Sequence, residues 1–274
     1  MAEELVLAID TGNTHTVLGC VHEDDSISPV LRLETNERRT EFEYAADISR
    51  ILEISGVRLP SIGGCIISSV VPPLNDTLSR AVRMITGIDP MIVGAGLKTG
   101  LDIGLDDPGT IAADLVATAV AAKERYPLPC FIVDMGTATT ITAVSAGGRY
   151  LGGAIYPGLG ISLNALVQET SLLPNIAVAP PKKAVATNTV EAMKSGMFYS
   201  TVGGLDGLLD RFEEELGEPA SIVATGGIAA RITPHCRHRI QMAENLLLEG
   251  LAIIYRKNRR MAKNRRPDEA KRRV

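Results

Sequence analysis

Two stretches of the chain, 124 residues apart, carry the same alternation of apolar and polar positions. In the first, an apolar run from Leu5 ends at Asp10, breaks at Gly12-Asn13-Thr14 and resumes to Val21. In the second, a run from Cys130 ends at Asp134, breaks at Gly136-Thr137 and resumes to Val144. Each pattern predicts a strand, a tight turn and a second strand. Gly64 to Val71 reads as a buried strand stopped by Pro72-Pro73, Met91 to Val93 as a short strand, and Ser221 to Ala224 as a strand followed by Thr225-Gly226-Gly227 and a helix. Helical spacing runs from Ile111 to about Tyr126, with Thr110 as its expected cap and Pro127 as its stop. Asn188 and Glu191 form a capping-box pattern that opens a helix ending at Gly217. A last helix is predicted from about Glu244 to Lys257.

Strands mixed with helices around both copies predict an α/β protein of two related domains with a cleft between them. The expected division is 1–117, 118–258 and a basic, frayed tail over 259–274. Within the helix before Gly217, Gly196, Ser200, Gly203, Gly204 and Gly207 recur at steps of three and four, a stripe suited to close approach by another backbone. A homodimer is the expected assembly.

The composition is that of an ordinary globular chain: 274 residues, 45% hydrophobic, 22% charged. No apolar stretch approaches the roughly 18 residues of a bilayer span, and the first residues are acidic, so neither a membrane nor a secretory context is expected and the cytoplasm is. The four cysteines are widely spaced, with no CxxC pair. Residues 256 to 273 hold ten Lys/Arg and two acids, a surplus of +8, so the remainder carries −12 against a net charge of −4. An acidic body excludes a dedicated nucleic-acid-binding domain.

The chemistry lies in the two glycine turns. There is no GxxxxGK[ST] loop, and Gly94 to Gly100 misses the GxGxxG spacing. His235-Cys236-Arg237-His238 places two imidazoles beside a thiol, but further ligands do not converge on them in sequence. In Asp10-Thr11-Gly12-Asn13-Thr14-His15-Thr16, Gly12 lets the backbone approach a ligand, and Asn13, Thr14 and Thr16 supply small donors suited to phosphate oxygens. Asp10 is placed to hold Mg²⁺, directly or through water. Asp134 to Thr140 repeats the design, and Thr225-Gly226-Gly227 is a candidate adenosine contact. Asp114 is the only charged residue between Ile111 and Ala122, a candidate general base or hydroxyl-orienting group for a phosphoryl acceptor.

These motifs resemble those of the type III pantothenate kinases, within the superfamily of acetate and sugar kinases, heat-shock chaperones and actin. The matching stretches are DTGNTHTVLG from Asp10, SSVVPPL from Ser68, DMGTATT from Asp134, LGGAIYPGLGISLNAL from Leu151, NTVEAMKSG from Asn188, ATGG from Ala224 and LEGL from Leu248. The resemblance implies two ribonuclease-H-like domains with an ATP cleft between them, an obligate homodimer, and ATP-dependent phosphorylation of pantothenate to 4'-phosphopantothenate, the first step of coenzyme A biosynthesis. It also implies ATP contacts at Asp10, Thr11, Gly12, Asn13, Thr14, His15, Thr16, Val17 and Thr137, and Mg²⁺ held through the phosphates at Asp10. A monovalent cation, K⁺ or NH₄⁺, is implied at Asp134, the catalytic base at Asp114, and pantothenate contacts at Leu105, Ala112, Ala113, Leu115 and Thr189. The acceptor segment departs from the family pattern: Leu105, Asp107, Ala112 and Leu115 stand where Tyr, Asn, Gly and Arg are usual. Loss of an Arg facing a carboxylate removes a charge-assisted bond of about 1.5–3 kcal/mol. A nucleotide-binding paralogue with a lost or changed acceptor is therefore the alternative reading.

Overall fold

The computed structural model describes residues 4–271, with side chains described through Met261. Its strands are β1 (Leu5–Thr11), β2 (His15–Val21), β3 (Ile27–Glu34), β4 (Ile62–Ser69), β5 (Met91–Ile92), β6 (Asp102–Ile103), β7 (Cys130–Met135), β8 (Ala138–Val144), β9 (Arg149–Pro157), β10 (Ser221–Thr225) and β11 (Gln241–Met242). Its helices are α1 (Glu41–Ile54), α2 (Leu74–Thr86), α3 (Ala113–Arg125), α4 (Leu159–Gln168), α5 (Thr189–Leu216), α6 (Ala229–Ile232) and α7 (Leu246–Lys271).

The chain divides into two compact units. One holds the described residues up to Leu101, Asp106–Glu124 and those from Asn245 on; the other holds Asp102–Leu105 and Arg125–Glu244. The first unit carries a sheet of order β3-β2-β1-β4-β5. Neighbours β1, β2 and β3 run antiparallel, whereas β1, β4 and β5 run parallel. The second unit repeats this order as β9-β8-β7-β10-β11, with β6 added in parallel at the β9 edge. The expected α/β architecture of two ribonuclease-H-like units is thus met, one sheet to each copy of the sequence pattern.

In the first unit the two-residue period of β1 sends Leu7 and Ile9 to one face, where they pack with Leu18, Ile67, Tyr44, Ile48 and Leu78 under α1 and α2. Val6 and Ala8 go to the other face, with Ile66, Val116, Ala117, Leu251 and Ile254 of β4, α3 and α7. Gly250 lets α7 meet α3: a methyl there would overlap the Ala117 carbonyl. In the second unit, Phe131, Val133 and Ile141 pack with Phe198, Leu205 and Leu209 of α5.

Several expectations need correction. The division drawn between 117 and 118 falls inside α3, whose Val116, Ala117 and Val120 belong to the first unit's core, and α7 returns to that unit because its apolar face completes the same core. Helix α3 starts at Ala113, not at Ile111: residues Pro108–Thr110 form a 3₁₀ turn capped by Asp107, and Thr110 donates its hydroxyl back to the Asp107 carbonyl. The stretch read as a frayed tail is α7 backbone as far as Lys271, in keeping with the helix-forming Lys, Arg, Met and Ala within it; 272–274 lie outside the described residues. Asn188 does cap α5, but Glu191 turns its carboxylate to Lys182 and Lys194 instead of closing the box.

Candidate active site

In the first unit the hairpin between β1 and β2 is closed by the Gly12 amide on the His15 carbonyl at 3.0 Å. Asn13, Thr14 and His15 stand exposed at its tip. The pleat divides the remaining motif residues. Asp10 lies opposite Val17, and Thr11 opposite Thr16. Thr11 and Thr16 are fully buried, and the Thr16 hydroxyl bonds that of Thr35 at 2.9 Å. Thr16 is therefore committed to the interior in this geometry, while Asn13, Thr14 and His15 are the groups presented to solvent.

Asp10 shares its register position with Ser68 of the parallel neighbour β4. Ser68 is fully buried, and its hydroxyl has no hydrogen-bond partner among the described residues. A buried hydroxyl left this way costs about 1–3 kcal/mol, which makes Ser68 a candidate donor to a bound oxygen. Sequence reasoning placed Ser68 only in a matching stretch and gave it no role. Its signal was a polar residue closing an otherwise apolar strand parallel to β1.

Val17, Ile111 and Ala113 all pack against the core that β1 shares with α3. Asp114 sits in the first turn of α3, partly buried, and accepts the Leu115 amide at 2.7 Å. Burial pushes its carboxyl above the ordinary carboxylate range, and outweighs the Leu115 bond, which pulls the other way. Ala112 and Leu115 flank it and are also partly buried. Asp10, Ser68 and Asp114 are thus carried by elements around one sheet face. Leu105 belongs to the other unit, where its side chain lies against Gly152.

In the second unit Asp134 is in register with Thr140 on β8 and with Thr225 on β10. The β7–β8 turn exposes Gly136 and Thr137, and two other glycines press on it. Gly226, at φ +98°, would place a Cβ 2.6 Å from the Met135 backbone, and a Cβ on Gly158 would collide with the Gly136 and Thr137 carbonyls. The second turn therefore lies against the Thr225-Gly226-Gly227 loop and the start of α4 with no room for side chains between. Thr189 is exposed as the first residue of α5, next to an open cavity whose lining includes Lys182, Lys183 and Asn188.

The His235–His238 segment has another task. Asp206, nearly fully buried on α5, accepts the Arg237 amide with both oxygens at 3.0 Å, and Asp210 bonds His238 Nε2 at 2.9 Å. His235 meets the Phe198 ring edge-on. These contacts dock the segment on α5. Among the described residues no group of three His, Cys, Asp or Glu side chains is gathered as a metal site.

The model of the family described as type III pantothenate kinase matches residues 6–211. Curated type III pantothenate kinases are similar along nearly the whole chain: that of Halalkalibacterium halodurans is 41% identical over 254 residues, covering 93% of this chain and 100% of the relative. That of Myxococcus xanthus is 42% identical over 254 residues, covering 93% and 99%. Among solved structures, a putative Baf family transcriptional activator from Campylobacter jejuni aligns with a TM-score of 0.60 at 17% identity over 93% of this chain and 99% of that one. A putative 2-dehydro-3-deoxygalactonokinase from Sinorhizobium meliloti also reaches 0.60, at 11% identity over 92% and 96%. These structural likenesses show the fold. Among the described residues no helix is long and apolar enough to cross a membrane.

Proposed function

This chain belongs to the type III pantothenate kinase family, and from that premise we propose how its residues move the γ-phosphoryl group of ATP to the terminal hydroxyl of pantothenate, the entry reaction of coenzyme A biosynthesis. The observation that carries the reading is the gathering of Asp10, Ser68 and the desolvated Asp114 on elements around one sheet face. The exposed turn from Gly12 to His15 holds phosphate oxygens with its amides and with Asn13 and Thr14, and Thr137 serves on the second turn. Asp114 takes the proton of the acceptor hydroxyl as its oxygen bonds to phosphorus, the bond to the ADP oxygen breaks, and the proton then passes to water. A carboxylate raised by burial is a stronger base than a solvated one, which suits it to an alcohol. Thr11, Thr16 and Val17 support the turn from the strands; the acceptor contacts are Ala112, Ala113 and Leu115 on the first unit and Leu105 and Thr189 on the second. The cytoplasm, where ATP is supplied, is the compartment that suits this reaction.

Asp10 would hold Mg²⁺ together with the phosphates, and the ion would neutralise charge on the transferring group. Asp134, with the Thr140 and Thr225 positions in register beside it, would hold the monovalent cation. Turnover of ATP with pantothenate is expected to need Mg²⁺ and to rise several-fold when K⁺ or NH₄⁺ replaces Na⁺. The variant Asp134→Asn should lose that stimulation. Equal rates in Na⁺ and K⁺, or full stimulation in the variant, would remove the cation from Asp134.

We also propose a homodimer joined through α5. An added methyl at Gly196, Gly203 or Gly207 meets nothing within 4 Å among the described residues, so the stripe is open rather than packed on its own sheet. In a monomer, Gly203→Ala would stabilise the helix by about 1 kcal/mol. In the dimer the bulkier Gly203→Leu should separate the subunits. Sedimentation of wild type and Gly203→Leu at micromolar concentration reads this directly, and a monomeric wild type ends the proposal.

A further inference from the structure

Where the chain leaves the first unit, three consecutive residues are held by side chains from two helices. The Asn258 amide pairs both ways with Lys98: Nδ2 donates to its carbonyl at 3.1 Å and Oδ1 accepts from its amide at 3.0 Å. Asn258 Nδ2 also donates to the Ile254 carbonyl at 2.8 Å, which fixes the amide on α7. Lys257 Nζ donates to the Thr99 carbonyl at 3.3 Å, and Lys123 Nζ, near the end of α3, donates to the Gly100 carbonyl at 2.9 Å. Gly100 has φ +77°, and a Cβ there would collide with the Lys257 ammonium. The Lys257 ammonium occupies the space beside this left-handed glycine.

Gly100 and Lys123 thus close a single excursion of the chain, and inside it lie Leu105, Ala112, Ala113, Asp114 and Leu115. Asp114 stands nine residues along α3 from Lys123, or roughly 14 Å at 1.5 Å per residue. The fourteen residues from Gly100 to Asp114 could reach about 46 Å if extended. The segment has slack, and its path depends on where it is anchored: at its base, at the short β6–β9 pairing, and at the Asp107-capped turn.

We propose that Asn258, Lys257 and Lys123 are positioning residues for the acceptor: by fixing residues 98–100 they set the path of the acceptor segment that ends at Asp114. The inference rests on the reading that this segment binds pantothenate. Loosening the clamp lets the slack segment sample more conformations, which weakens acceptor binding without touching the glycine turn that takes ATP.

The test uses Asn258→Ala and Lys123→Met separately, with Lys123→Arg as the conservative rescue. Losing one such bond is expected to raise the pantothenate KM about 3–10-fold, with kcat and the ATP KM within about twofold of wild type. Lys123→Arg should return the KM toward wild type, and amide exchange at residues 98–101 should quicken in the first two variants. Faster exchange with an unchanged pantothenate KM overturns the clamp, as does a parallel rise in both KM values. If Asn258→Ala does not fold, Lys123→Met reads the same clamp at Gly100. Full pantothenate turnover by Asp114→Asn would instead overturn the underlying acceptor assignment, whatever the clamp variants do.

Discussion

Asp114→Asn should lower pantothenate-dependent kcat by about 10²–10⁴-fold, the usual contribution of a positioned general base, or roughly 2.7–5.4 kcal/mol of barrier. ATP affinity should hold, because the glycine turn is untouched. The same variant should melt at a higher temperature near neutral pH. Burial raises the folded-state pKa of Asp114 above its unfolded value. A carboxyl shifted in that direction contributes its full stability below the unfolded pKa of about 3.9 and loses it as pH rises through the folded value. At neutral pH the ionised group is a burden on the fold that a neutral amide lifts, so the gain from Asn should vanish in acid. Catalysis depends on pH in the opposite sense, since the base works only when ionised: wild-type kcat/KM should rise through the folded pKa and level off above it. Turnover within tenfold of wild type, or a variant less stable than wild type at pH 7, would remove Asp114 from its assigned role.

Gly250→Ala should be among the most damaging single methyls at the described glycines. It would place a carbon on the Ala117 carbonyl, inside the contact between two helices, where neither backbone can move without opening the core of Val116, Val120, Leu251 and Ile254. Overpacking of a rigid contact costs about 1–3 kcal/mol and occasionally more; against backbone the upper end is expected, a loss of about 3 kcal/mol and roughly 6–12 °C of apparent Tm at this size. Activity should fall with it through kcat, because α3 carries Asp114. Gly160→Ala, a methyl added to open space in the first turn of α4, is the matched control. Equal melting temperatures for the two variants would show that the α3–α7 contact is looser than described.

Much of this was legible in local sequence. The paired hairpins announced themselves because each apolar run ends in Asp and breaks at glycine, and period-two burial on both faces leaves little ambiguity. Strands β3 and β9 did not, since their alternate residues are exposed and Pro29, Gly152 and Gly153 weaken the β signal. Asp114 stood out as a lone charge among small apolar residues. The committed hydroxyl of Thr16 did not, because only pairing with Thr11 and the nearby Thr35 shows which way it points. Ser68 gained meaning from register with Asp10, and the acceptor clamp joins residues up to 160 positions apart, which no local pattern reports. The departures at Leu105 and Leu115 raised the prospect of a changed acceptor; close similarity to curated pantothenate kinases along 93% of the chain favours the family reaction.

The return of α7 to the first unit sets an order of events during synthesis. Val6, Ala8 and Ile66 are made early, yet Leu248, Leu251, Ile254 and Tyr255, which cover their face of the sheet, follow the whole of the second unit. At about 5–20 residues per second, the roughly 150 residues from the end of β5 to the start of α7 take on the order of 8–30 s to appear. For that interval the first sheet stands with one apolar face incomplete, while the second unit, continuous from Arg125 to Glu244 apart from β6, can already close. The half of the protein that begins first is therefore the half that finishes last, and its nascent surface is the one that a ribosome-associated chaperone would have to shield.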